Sequence, residues 1–122
     1  MLSVTGVSLQ RNLEQSRSGG YDLIVDPSER SPMAPLIGQL AFEIKRYAVV
    51  TPAKVSTWWK QCVAQAEADG LIPVLAYRAD RSQWRCVVPL NLINSKLTKS
   101  LLFQDTATLE FSAFCMVALQ HL

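Results

Sequence analysis

Histidine is almost missing from this 122-residue sequence; the one copy, His121, is next to last. Cysteine is scarce as well: Cys62, Cys86 and Cys115 stand far apart, with no pair at Cys-x-x-Cys spacing. Zinc centres need such ligands at close spacing, so none is expected. An odd number of scattered cysteines makes no disulfide framework either. They read as small apolar residues in a reducing compartment. No apolar run reaches the roughly 20 residues that span a bilayer. No basic region followed by an apolar stretch opens the chain, so no signal peptide is evident and a cytoplasmic protein without membrane partners is expected. Charge of either sign is in short supply: charged residues make up 18% and the formal net charge is +2. That sum does not mark a nucleic-acid binder and does not exclude one, because a local basic patch matters more.

What is present is apolar. Hydrophobic residues make up 49% of the chain, enough for the core of one domain over residues 1–122 and too short a chain for two. Phe42-Glu43-Ile44-Lys45-Arg46-Tyr47 alternates like a strand, with Phe42 and Ile44 on one face and Glu43 and Lys45 on the other. Upstream, Gly19-Gly20-Tyr21-Asp22 leads into the apolar Leu23-Ile24-Val25, a second strand opened by an acid. Two converging carboxylates, Asp22 and Glu43, suit a hard cation such as Mg²⁺ or Mn²⁺, with the Ile44 carbonyl between the functional side chains as a third oxygen. A lysine beside them can position a water. Glu-x-Lys on a strand is equally what a solvated sheet face shows, and paired glycines equally make an ordinary turn.

Taken in order, Val4, Val7 and Leu9 allow a brief N-terminal strand or arm. Asp26 to Pro35 carries Pro27, Pro32 and Pro35, which forbid regular structure and predict a surface loop. A strand is expected over 39–48, bent near Gly38. Thr51-Pro52 is a helix start, a capping hydroxyl followed by proline. Val55, Trp59, Cys62, Val63 and Ala66 carry an apolar stripe to about Ala68, and Gly70 ends the helix. Trp58 and Trp59 are not expected to be both fully buried on one helix face; one should cover the sheet edge or a partner. Strands follow at 73–78 and 84–89, the first joined to 39–48 by a parallel crossover, the second its hairpin partner. Residues 91–105 read as a leucine-studded polar connection. A further strand is expected from Thr106, then a helix capped by Ser112 whose apolar face completes the core or joins a second subunit.

These residues together carry a resemblance. Arg11-Asn12-Leu13-Glu14-Gln15, Gly19-Gly20-Tyr21-Asp22-Leu23, Phe42-Glu43-Ile44-Lys45-Arg46, Trp58-Trp59-Lys60-Gln61, Pro73 to Arg78 and Trp84-Arg85 resemble the PD-(D/E)xK nuclease superfamily. Within it, they look most like phage-encoded endonucleases similar to Holliday junction resolvases. The resemblance covers a core of about residues 10–90, leaving 91–122 as a C-terminal extension. It implies an α/β fold, a restriction-endonuclease-like mixed β-sheet with a crossover helix. It implies a Mg²⁺- or Mn²⁺-dependent deoxyribonuclease acting on branched DNA, including four-way junctions, in a bacterial host. Asp22 and Glu43 match the metal-binding acids, Lys45 the superfamily lysine, and Gln61 an auxiliary glutamine. Relatives begin with a helix bearing another acid; here about ten residues precede Arg11, so that helix is missing or displaced, with Glu14 as a stand-in.

Arg17, Arg46, Lys54, Lys60, Arg78, Arg81 and Arg85 supply positive charge for DNA phosphates if they gather on one face. A homodimer is expected from the apolar 111–119 tail and the paired tryptophans. Two alternatives remain open: a DNA-binding or assembly module that kept the fold without hydrolysis, and a structural subunit in which Glu43 and Lys45 are a surface ion pair.

Overall fold

In the computed structural model, residues 2–4, 7–11, 23–25 and 37–120 are described, the first three strands by their backbone. Short strands β1 (Leu2–Val4), β2 (Val7–Arg11) and β3 (Leu23–Val25) precede β4 (Leu40–Tyr47). Helix α1 (Pro52–Ala68) then leads to β5 (Ile72–Ala79) and β6 (Arg85–Pro89). A single helical turn, α2 (Leu90–Ile93), a 3₁₀ turn (Phe103–Asp105), β7 (Thr106–Glu110) and α3 (Phe111–Leu119) complete the chain. The described strands form one sheet in sequence order, β1 to β7. β4 and β5 run parallel, in register from Leu40↔Ile72 to Tyr47↔Ala79; the other described pairs are antiparallel. A parallel pair cannot be joined by a tight turn, and α1 is the connection that brings the chain back. The expected mixed sheet, with strands at 39–48, 73–78 and 84–89 and the 52–68 helix, is thus present.

Local chemistry explains both ends of α1. The Thr51 hydroxyl accepts a hydrogen bond from the Lys54 amide at 3.3 Å, and Pro52 fills the first helical position, where no amide is needed. At the other end Gly70 takes a φ of +66°. That left-handed step lets the Leu71 amide reach the Ala66 carbonyl at 2.9 Å and the Gly70 amide the Glu67 carbonyl at 3.2 Å, a Schellman closure. The Ile72 amide then donates to the Gln39 carbonyl at 2.8 Å, which starts β5 against β4.

Strand alternation divides the core into two layers. Phe42, Val74, Ala76, Cys86 and Val88 face α3, with Phe114 and Ala118. Leu75 and Val87 face α1, with Val55, Trp58, Trp59 and Cys62. Phe114 meets Phe42 edge to face at 6.0 Å, so the 106–119 segment is part of the same core. Within α3, Met116 is left 65% exposed.

Two expectations are corrected. Trp58 and Trp59 are both buried, at 6% and 1% exposure. Trp58 lies against Tyr47 and Tyr77. Trp59 is covered from the other flank, and its indole N–H donates to the Leu101 carbonyl at 2.9 Å. The connection before the 3₁₀ turn supplies the wall that a single sheet face could not. Ser112 does not cap α3: the helix begins at Phe111 and its N-cap is Glu110, without a side-chain cap bond. The 26–35 loop, the Gly19-Gly20 turn and the question of a first helix, Glu14 included, fall outside the described residues.

Cys62 and Cys86 are buried thiols and Cys115 is half-buried; none of the three is in a disulfide. Burial pushes the Cys86 thiol up from 9.0 to about 12, and the nearby Cys115 adds to the rise. Above pH 9 the unfolded chain loses this proton while the folded one keeps it. Stability therefore falls as pH climbs from about 9 towards 12 and is unaffected by this group below pH 9. Urea midpoints measured against pH should decline more steeply in that window for the wild type than for Cys86→Ala. Parallel curves would contradict this.

Candidate active site

β4 carries an acid where an apolar residue would be expected. Glu43 lies between Phe42 and Ile44, which pack on the α3 side, so its carboxylate is turned to the α1 side. Its partner across β5 is Leu75, and the partner of Leu75 across β6 is Val87, both fully buried. Glu43 itself is 5% exposed. An isolated carboxylate in such a place is strongly penalised unless it is neutralised or paired. The Lys45 ammonium, two residues on and on the same face, stands 3.6 Å from Glu43 Oε1, with a quarter of its side chain exposed. Lys45 is thus the outer member of the pair. A buried ion pair adds little stability over well-packed apolar residues. Its retention inside an apolar layer therefore points to chemistry.

β4 is paired with β5 along its whole length, whereas its described ladder with β3 holds the single pair Leu23↔Phe42. Asp22, which precedes Leu23 in sequence, falls outside the described residues, as does Arg17. On α1, Cys62 lies over β4, its thiol donating to the Ala41 carbonyl at 4.0 Å. Gln61, next to it, is exposed. Gln65 was not singled out from the sequence. Its side-chain carbonyl is buried and meets no hydrogen-bond donor among the described residues. Its position one helical turn after Gln61 was the available signal.

The sheet separates the basic residues. Lys45, Tyr77, Arg85 and Glu110 form one cross-strand row, on the α1 side. Arg46 and Arg78, each one residue out of step, belong to the other face. Arg78 lies over the Trp84 ring at 5.8 Å, and Arg46 approaches Asp80 at 4.0 Å. Lys54 donates to the Val49 carbonyl at 3.1 Å and sits over Tyr47 at 5.2 Å. Lys60 is exposed on α1 and Arg81 on the β5–β6 turn, where Arg81 takes a φ of 63°. The seven cations expected to share one face are therefore not all brought together.

Among the described residues no three or more His, Cys, Asp or Glu side chains cluster as a metal site. The same residues contain no helix long and apolar enough to cross a membrane.

No curated protein matches the sequence. A solved structure of the Holliday junction resolvase of Archaeoglobus fulgidus, an archaeal hyperthermophile, is similar at 16% identity and a TM-score of 0.46, over 97% of this chain and 89% of that one. The family described as "phage putative PDDEXK endonuclease" matches residues 1–119, nearly the whole length. The chain belongs to that family of phage PDDEXK endonucleases.

Proposed function

We propose that the protein is a divalent-metal-dependent DNA endonuclease whose centre is the Glu43–Lys45 pair. The observation that carries this reading is the carboxylate at 5% exposure with an ammonium 3.6 Å away, in a chain whose family is one of PDDEXK endonucleases. The donor chemistry fits Mg²⁺ or Mn²⁺: Glu43, Asp22 and the Ile44 carbonyl offer hard oxygen ligands, and no soft ligand stands among them. When bound, such an ion polarises the scissile phosphate and lowers the pKa of a water. Lys45 places positive charge where the phosphate gains negative charge and orients the attacking water. Gln61 positions that water from α1.

Lys54, Lys60, Arg81 and Arg85, joined by Arg17 on the sequence reading, hold the DNA by its phosphates, so affinity falls steeply with added salt, while Arg46 and Arg78 on the other face contribute less. The preferred substrate is branched DNA such as a four-way junction. Two symmetric cuts need two centres, which a two-fold homodimer supplies. With Phe114 and Ala118 committed to the core, Met116 is the exposed large hydrophobic among the described side chains of α3 and would meet a second copy.

The test is incubation with a labelled four-way junction, a duplex and a single strand, in Mg²⁺, Mn²⁺ or EDTA. Cleavage of the junction with either metal and none in EDTA is expected. Binding without cutting under every condition would instead make the protein a DNA-binding module of the same fold. A monomeric mass in the presence of junction DNA would remove the homodimer.

A further inference from the structure

A groove of about 390 Å³ lies beyond the catalytic pair, between the start of α1 and the β5–β6 turn. It sits on the face that carries Lys45: Tyr77, on its wall, is the cross-strand partner of Lys45, and Arg85, also on its wall, is the partner of Tyr77. Adjacent strands are about 4.8 Å apart, so Arg85 and Lys45 are separated at the backbone by about 10 Å. A stacked nucleic-acid strand advances about 3.4 Å per nucleotide. A strand lying over Lys45 therefore reaches the groove within about three nucleotides.

The lining has two chemistries. Tyr77 and Phe103 offer half-buried aromatic surface. Arg85 is the one charged side chain among the described lining residues, and Thr51, Ser82 and Gln83 add neutral polar groups beside it. One cation with polar side chains and no carboxylate in the lining complements a phosphate; Glu110, the cross-strand partner of Arg85, lies outside that lining, one strand further on. Aromatic surface beside it complements a base, but only a base out of the double helix, because paired and stacked bases present their edges alone. A peptide uses neither the lone cation nor the ring surfaces so economically. We infer that this groove receives an unpaired nucleotide of the DNA next to the bond that is cut, its base against Tyr77 and Phe103 and its phosphate on Arg85. The inference rests on the nuclease reading and sharpens it: the substrate carries unpaired nucleotides at its branch or end.

The test uses the full chain with two duplexes of one sequence, one blunt and one ending in a short single-stranded extension that contains 2-aminopurine. Binding is measured in Ca²⁺ and cleavage in Mg²⁺. The wild type should prefer the extended duplex by about tenfold, the lower part of what one stacked base contributes. The 2-aminopurine emission should drop on binding as its base stacks. In Arg85→Ala and in Phe103→Leu the ratio of the two affinities should fall to about threefold or less. A ratio is insensitive to a partly unfolded variant, and melting curves check the folded fraction. Equal affinity for both duplexes, or a preference unchanged in both variants, overturns the inference. Cleavage without preference would remove the groove and leave the nuclease standing; preference without cleavage would do the reverse.

Discussion

Glu43→Gln and Lys45→Met should each lower DNA cleavage by about 100- to 1,000-fold or more, the usual effect of removing one preorganised electrostatic group from a reaction centre. The two should part company in stability. Glu43→Gln leaves Lys45, a quarter exposed, able to reach water. Lys45→Met strips the cation from a carboxylate with 5% exposure, and breaking a buried pair from one side destabilises by about 3–5 kcal/mol. The double variant Glu43→Gln/Lys45→Met has no charge left to bury. It should recover most of that loss in thermal or urea melts while remaining inactive. Stability regained without activity is the signature of a pair kept for catalysis. Wild-type cleavage rates in both single variants would show that the centre lies elsewhere. DNA binding in EDTA should change little in either, which separates loss of chemistry from loss of substrate.

The largest expected effect on the fold comes from Trp59→Ala. The indole is 1% exposed in the layer between α1 and the sheet. Removing it leaves a cavity worth about 3–5 kcal/mol and takes the donor from the Leu101 carbonyl. Domains of this size have about 5–15 kcal/mol in total, so the variant should be largely unfolded well below the wild-type midpoint. Trp59→Phe refills most of the volume and loses the hydrogen bond, for about 1–2 kcal/mol. Urea denaturation followed by circular dichroism orders the three proteins. Equal midpoints for Trp59→Ala and the wild type would mean that α1 does not pack through this residue.

The parts of this molecule that local chemistry decides were legible in the sequence. The 40–47 alternation decides which side of β4 faces α3. Thr51-Pro52 and Gly70 fix the ends of α1 by hydrogen bonds within a few residues. The parts that were not legible depend on contacts far apart in the chain. Trp58 and Trp59 looked incompatible because the partner that covers Trp59, at Leu101, lies in an irregular connection with no periodic signal. The basic residues read as one set in the sequence, which does not say how cross-strand register pairs them. The register sets Lys45 in a row with Arg85 and puts Arg46 and Arg78 on the opposite face. Gln65 does not stand out in the sequence, because only burial distinguishes it from Gln61. Asp22 and Arg17 remain readings of the sequence, since both fall outside the described residues.

The strand order that follows the chain from β1 to β7 also bears on how the protein is made. Each strand's partner is the one synthesised just before it, so a chain leaving the ribosome can add strands to a growing edge without waiting for its far end. The exception is the parallel junction. Tyr77 and Arg85 meet across a short hairpin turn, but Leu40 and Ile72 meet only after the whole of α1 has formed and folded back. Until then β4, with its acid and lysine, is an uncovered edge bearing the residues of the active site. Docking of α1 and β5 closes the longest loop between paired strands in the described sheet and is the step expected to limit the folding rate. The same event buries Glu43 beside Lys45, so the centre is assembled when that edge is sealed.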